Sequence, residues 1–187
     1  VMDDGFSNIV AEGMDAGIRL GESLAEHMVA VPVTPRLRMA IVGSPAYFER
    51  HGLPVTPADL MRHNCLPYRF TSSGAIDRWT FAAPGARDDS FVFEPQGNAV
   101  FNDVDSMLHA TLRGVGLMQH LDLCVAPHLA DGSLVRVLEP WCRPFPGFFL
   151  YVPSRAQMPA KIRALVDFLV EQRKRFEREA KGRASGA

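Results

Sequence analysis

Residues 37–43, LRMAIVG, run without a break into Ser44-Pro45 and then into AYFERHG. An apolar run of strand length meets a residue that accepts backbone N–H groups, then a proline suited to the first helical position. Gly52 supplies the stop. A chain that turns directly from a buried strand into a helix lays that helix on a face of the sheet, so the segment points to α/β architecture. The rest of the chain alternates in the same way. Strands are expected at 15–20, 28–33, 37–43, around Trp79-Thr80-Phe81, and at 91–94, 98–102, 115–119, 133–139 and 148–152. Helices are expected at 45–50, 57–61, 103–113, 122–130 and 157–178. Such alternation predicts largely parallel strands.

The helix over 103–113 has the strongest pattern. Val104, Met107, Leu108, Thr111, Leu112 and Val115 repeat at i, i+3, i+4, i+7, i+8 and i+11, which defines one buried face. Asn102 is the expected N-cap, Asp103 and Asp105 sit where the helix dipole favours negative charge, and Gly114 is the stop. The last helix carries Ile162, Leu165, Val166, Leu169 and Val170 as its stripe. Beyond it, KRFEREAKGRASGA loses the stripe and gains charge, as a solvated, frayed end does.

The 187 residues are 47% hydrophobic, enough apolar material for one core or two small lobes. A formal net charge of -1 gives no basic excess for neutralising phosphates. The three cysteines, Cys65, Cys124 and Cys142, are widely spaced, which argues for a reducing compartment rather than a disulfide framework. Cys65 and Cys124 stand in apolar surroundings and read as core. No secretory leader and no apolar run of membrane-spanning length is visible, so a cytoplasmic location is expected. Val1 falls in what reads as the end of a strand, and a piece of a longer protein is expected.

No dinucleotide or phosphate loop, no nucleophile elbow and no paired zinc histidines occur. Ser44 occupies a strand–turn–helix position where a nucleophile could sit, but no base or oxyanion partner is recognisable, and capping explains it better. His63 with Cys65, and Asp105 with His109, have spacings compatible with metal, yet no third ligand completes either pair. The sequence therefore calls for no catalysis, no cofactor and no metal. What remains is two helix N-termini following strand ends, Ser44-Pro45 and Asn102-Asp103, each with free N–H groups.

Several stretches together resemble one family. They are DAGIRLGE at 15–22, LRMAIVGSPAYFERHG at 37–52, PADLMRHNC at 57–65, RWTF at 78–81 and NDVDSMLHATLRGVGL at 102–117. The last is the long run APHLADGSLVRVLEPWCRPFPGFFLYVPSRAQMPAKIRALVDFL at 126–169. In this order they resemble the effector-binding domain of LysR-type transcription regulators, in the branch of CrgA-like proteins.

The resemblance implies a two-lobed fold of the periplasmic-binding-protein type, N-terminally truncated. Residues 1–33 and 141–187 would form one lobe and 34–140 the other, with crossings near 32–35 and 138–144. It implies that Ser44, closing the IVGSP motif, and Asn102, opening NDVD, line an effector cleft. Arg19 to Gly21 would lie at its floor and Phe70 on its wall. Arg19 stays open between a ligand contact and a structural ion pair, with the pair favoured, and Phe70 between wall and core. Asp103 and Asp105 offset the pull of the helix terminus on an anion, so a carboxylate effector is only modestly favoured over a neutral one. The implied partners are a small organic effector, an aromatic or aliphatic acid among the candidates, and further copies in a homodimer or tetramer through the exposed side of helix 103–113. DNA would be contacted only by a helix-turn-helix region that these residues do not include. A solute-binding protein for transport, which shares the fold, is the rival reading.

Overall fold

The computed structural model describes residues 14–21, 28–85, 90–153 and 159–184. The described chain divides into two units. One is Arg38–Pro144, and the other combines residues up to Leu37 with those from Phe145 onward. The exchange points are where two connecting segments run side by side. Leu37 and Phe145 each donate to the other's carbonyl, at 3.0 and 2.8 Å.

In the first unit, β3 (Met39–Gly43) is the centre of a sheet whose other strands are β6 (Met118–Leu121) and β7 (Val135–Val137). Four of the five β3 residues are buried, as the apolar run requires. Ala40 and Val42 face a cluster containing Met107 of α2 (Val104–Leu112) and Val125 of α3 (Asp122–Ala130). Ile41 faces the opposite cluster. There Tyr47 and Phe48 of α1 (Pro45–His51) meet Trp79 and Phe81 of β4 (Trp79–Ala82), which pairs with β5 (Ser90–Phe93).

In the second unit the sheet order is β1 (Gly17–Leu20), β8 (Phe148–Pro153), β2 (Met28–Pro32). Ile162 of α4 (Ala160–Ala184) packs on Leu150, Val152 and Val33. Gly147 is required by a close approach. A Cβ there would stand 2.0 Å from Thr34 Oγ1 and 2.3 Å from the Pro35 carbonyl oxygen.

The strand directions differ from the sequence expectation. Every pairing between named strands is antiparallel. Among the described residues, parallel contacts occur only as isolated bridges, Cys65 with Leu117 and Tyr68 with Phe101. The reason is insertion. β6, α3 and β7 do form a strand–helix–strand unit with its two strands parallel to each other, but β3 lies between them and runs against both. Alternation in sequence reports the crossover helix, not which strand fills the gap.

Three further expectations change. Residues 98–102 make only the single bridge at Phe101. Cys124 is exposed, since the inward position on α3 belongs to Val125; Cys65 and Cys142 are buried. The last helix runs on to Ala184, past the expected fraying point at 178. Its charged segment is built of strong helix formers, with Arg173 near Glu177 and Arg178 near Glu171. Its expected start at 157 lies outside the described residues.

Candidate functional site

Ser44 is the N-cap of α1. Its Oγ accepts from the Tyr47 amide at 3.3 Å, and the residue is buried. Gly114, just past the C-terminal end of α2, lies directly over it. A Cβ on Gly114 would be 3.2 Å from Ser44 Oγ and 2.9 Å from Arg50 Nη2. Arg50 itself donates to the Gly114 carbonyl at 2.9 Å. Ser44 is thus a covered cap, not an open hydroxyl.

Asn102 lies at the other end of α2. The nine-residue helix separates the two positions by about 13 Å at 1.5 Å per residue. The structure therefore does not bring Ser44 and Asn102 together. Nor is Asn102 the cap. Asp103 takes that role, its Oδ1 accepting from the Ser106 amide at 2.8 Å, and this hydrogen bonding holds the Asp103 carboxyl below its ordinary pKa. A carboxylate serves that role as well as an amide, and it leaves the neighbouring Asn102 exposed.

Phe70 is half-buried and belongs to neither core cluster of its unit. Its ring meets Tyr68 edge-on at 5.7 Å, and its backbone closes a turn onto Gly74 and Ala75. Gly21 and Arg19 belong to the other unit. A Cβ on Gly21 would sit 2.2 Å from the Phe149 ring, so packing explains that glycine. Arg19 is half-buried on β1 opposite Phe149, and it interacts with another group.

Two groupings escaped the sequence reading. The first surrounds Tyr47. Its buried hydroxyl accepts from the Asn64 amide at 2.9 Å and lies 3.2 Å from His63 Nδ1, and its ring stacks on His51 at 4.5 Å. Burial, offset in part by the Asn64 bond, raises the phenol's pKa, so the hydroxyl keeps its proton beside His63. Burial, aided by His51, lowers the His63 pKa and favours the neutral ring. His63 is therefore engaged in the fold, while burial pushes the Cys65 thiol up to about 12. That removes the one metal pair in this region. His109 likewise bonds the Asp105 carbonyl, and no group of three or more metal-type ligands occurs among the described residues.

The second grouping is Asp77 with Tyr68 and Phe101. The Asp77 amide donates to the Tyr68 carbonyl at 2.8 Å, and Tyr68 bridges Phe101, the residue before Asn102. A polar residue before RWTF was the available signal. Nothing in the sequence says which strand it would face.

Two small α/β units joined by two crossing segments, with polar groups gathered at the N-terminal end of α2, define a class of ligand-binding modules. The family model described as the LysR substrate binding domain matches residues 2–174, and the chain belongs to that family. YcaN of Escherichia coli K12, an HTH-type transcriptional regulator, is 35% identical over 167 residues, 89% of this chain and 53% of that protein. PgrR of the same organism, also an HTH-type transcriptional regulator, is 32% identical over 90% of this chain and 55% of its own length. The chain spans about half the length of these curated relatives. Among solved structures, the regulatory domain of AphB from Vibrio vulnificus matches with a TM-score of 0.76 at 21% identity, covering 92% of this chain and 82% of that one. The CrgA regulatory domain from Neisseria meningitidis matches at 0.72 and 23%, covering 91% and 80%. At these identities the structures share the fold. The relatives place the chain in a non-enzymatic family of regulators.

Proposed function

We propose that this effector-binding domain is the sensing part of a cytoplasmic transcription regulator. A small organic molecule binds it, and a helix-turn-helix region elsewhere in the protein carries the response to DNA. The family match over residues 2–174, with relatives named HTH-type transcriptional regulators, carries this reading. No helix of the described residues is long and apolar enough to cross a membrane.

Within the first unit, the open N-terminal end of α2 is the ligand-facing region, with Asn102 and Phe70 its first contacts. Both are accessible, and neither is consumed by the core. Ser44 and Gly21 serve the fold, as cap and as clearance for Phe149. An aromatic or aliphatic acid is the expected effector class, yet Asp103 and Asp105 already stand at that end of α2 and disfavour a carboxylate there. The exposed side of α2, with Asp105, Ser106, His109 and Arg113, supports pairing into a homodimer or tetramer.

The test is a melting-temperature screen of the complete regulator against organic acids, alcohols and amines, followed by operator-DNA binding with each hit. A compound that raises the melting temperature and shifts DNA affinity supports the sensor reading. Hits that all leave DNA affinity unchanged refute it.

A further inference from the structure

Asp77 is a half-buried carboxyl that no described residue neutralises. Burial alone pushes its pKa up to about 6. No ion pair or side-chain hydrogen bond reaches it among the described residues. The nearby arginines in sequence are committed elsewhere or face water: Arg69 donates to the Gly74 carbonyl at 2.7 Å, and Arg78 is exposed. A desolvated carboxylate without a partner is a standing loss of stability, and such groups concentrate where a ligand supplies the missing charge.

Its surroundings give that ligand a shape. The bridge between Arg69 and Ile76 puts Asp77 opposite Tyr68, and the next bridge puts Tyr68 opposite Phe101. Residues opposite one another in neighbouring strands project to the same side. The carboxyl therefore stands in one row with two aromatic side chains. Phe70 joins the row edge-on to Tyr68, and Asn102 follows Phe101. Tyr68 and Phe101 also pack on the core cluster around Met107. A half-buried carboxylate in line with aromatic side chains suits an organic cation, which gains an ion pair beside an apolar surface.

We propose that Asp77, with Tyr68 and Phe70, forms a subsite for the protonated amine of a small organic ligand. It deepens the sensor reading and rests on it for its biological meaning. The subsite selects against a carboxylate at that end of the effector and gives Asn102 the neighbouring polar contact.

The test compares benzylamine, benzyl alcohol and benzoate, three probes of one shape and different charge, by calorimetry on the wild-type chain and on Asp77→Asn. In the wild type, the amine should bind at least tenfold more tightly than the alcohol, and benzoate most weakly. In Asp77→Asn the amine's advantage should fall below twofold with alcohol binding unchanged. An amine that binds no better than the alcohol in the wild type overturns the subsite without any variant, and so does a preference that survives in Asp77→Asn. Stability gives a second reading. The folded pKa of Asp77 lies above its ordinary 3.8, so the fold favours the protonated acid and the ionised form destabilises it. Asp77→Asn should melt higher than the wild type above about pH 6, with the gain fading towards pH 3.8. A variant that melts lower at neutral pH assigns Asp77 to the fold and refutes the proposal. Failure of the two readings is distinguishable. If an inducer acts equally on the complete regulator with and without Asp77→Asn, the subsite falls and the sensor stands. If amine binding depends on Asp77 but never alters operator binding, the subsite stands and the sensor falls.

Discussion

The two ends of α2 are built for different purposes. At the C-terminal end the backbone carbonyls of Gly114 and Val115 are both held by side chains. Arg50 holds the Gly114 carbonyl, Asn64 Nδ2 donates to Val115 O at 2.7 Å, and Asn64 Oδ1 accepts from the Asn98 amide at 2.9 Å. Ser44 is sealed beneath Gly114. At the N-terminal end Asp103 is committed as a cap, while Asn102 is exposed and Asp77 meets no ion pair among the described residues. A closed end fixes the helix so that an open end can be offered to a ligand in a fixed place. If that division is right, substitutions at the closed end change stability and those at the open end change response.

The largest effect is expected at Gly116. A Cβ there would meet the Asn64 carbonyl oxygen at 2.3 Å, a backbone atom that cannot swing aside. Gly116→Ala should destabilise the chain by about 3 kcal/mol, the upper range for overpacking, as measured by chemical denaturation. A loss below about 1 kcal/mol would mean that the closed end yields easily and does not anchor α2.

Next comes Tyr47→Phe, which removes the acceptor of the Asn64 amide and the hydrogen-bond partner of His63. The expected loss is about 1–3 kcal/mol, the range for leaving a buried group unpaired. The same contact predicts a pH dependence. The folded pKa of His63 lies below its ordinary 6.5, so the fold favours the neutral ring. The stability it contributes is complete above pH 6.5 and is lost as pH falls through the lowered value. His63→Asn keeps an acceptor near the phenol and should flatten the acid side of the stability curve between pH 7 and 5. An unchanged slope would assign the dependence to another group.

How much of this contrast was legible in sequence follows from what local patterns encode. The strand–cap–helix run at 37–52 announced β3, Ser44 and α1 because adjacent residues do all the work. The α2 face was equally clear, with Met107 and Thr111 buried as its period requires. The direction of the strands was not legible, since β3 enters between β6 and β7 from far away in the chain. The pairing of Ser44 with Asn102 failed for a related reason. Both follow strand-like segments, but sequence does not say at which end of a shared helix each of them lies. Cap identity was a choice between two adjacent good acceptors, and the backbone chose Asp103. Asp77 was invisible because its significance depends on finding no counter-charge among the described residues around it, and one residue type alone cannot report that.

The smallest change in stability, and the sharpest test of the contrast, comes from comparing Ser44→Ala with Asn102→Ala. Loss of the Ser44 cap should destabilise by about 1 kcal/mol, because the Tyr47 amide loses its side-chain acceptor. The response of the complete regulator to an inducer should survive it, since the hydroxyl is covered. Asn102→Ala should alter stability by less than about 0.5 kcal/mol, as expected for an exposed residue outside the cap. Its inducer response should nevertheless weaken, because a ligand seated at the open end loses a polar contact there. The two variants thus exchange their effects, one felt in unfolding and the other in signalling. A result in which Ser44→Ala abolishes the response while Asn102→Ala leaves it intact would invert the assignment of the two ends and move the ligand to the closed one.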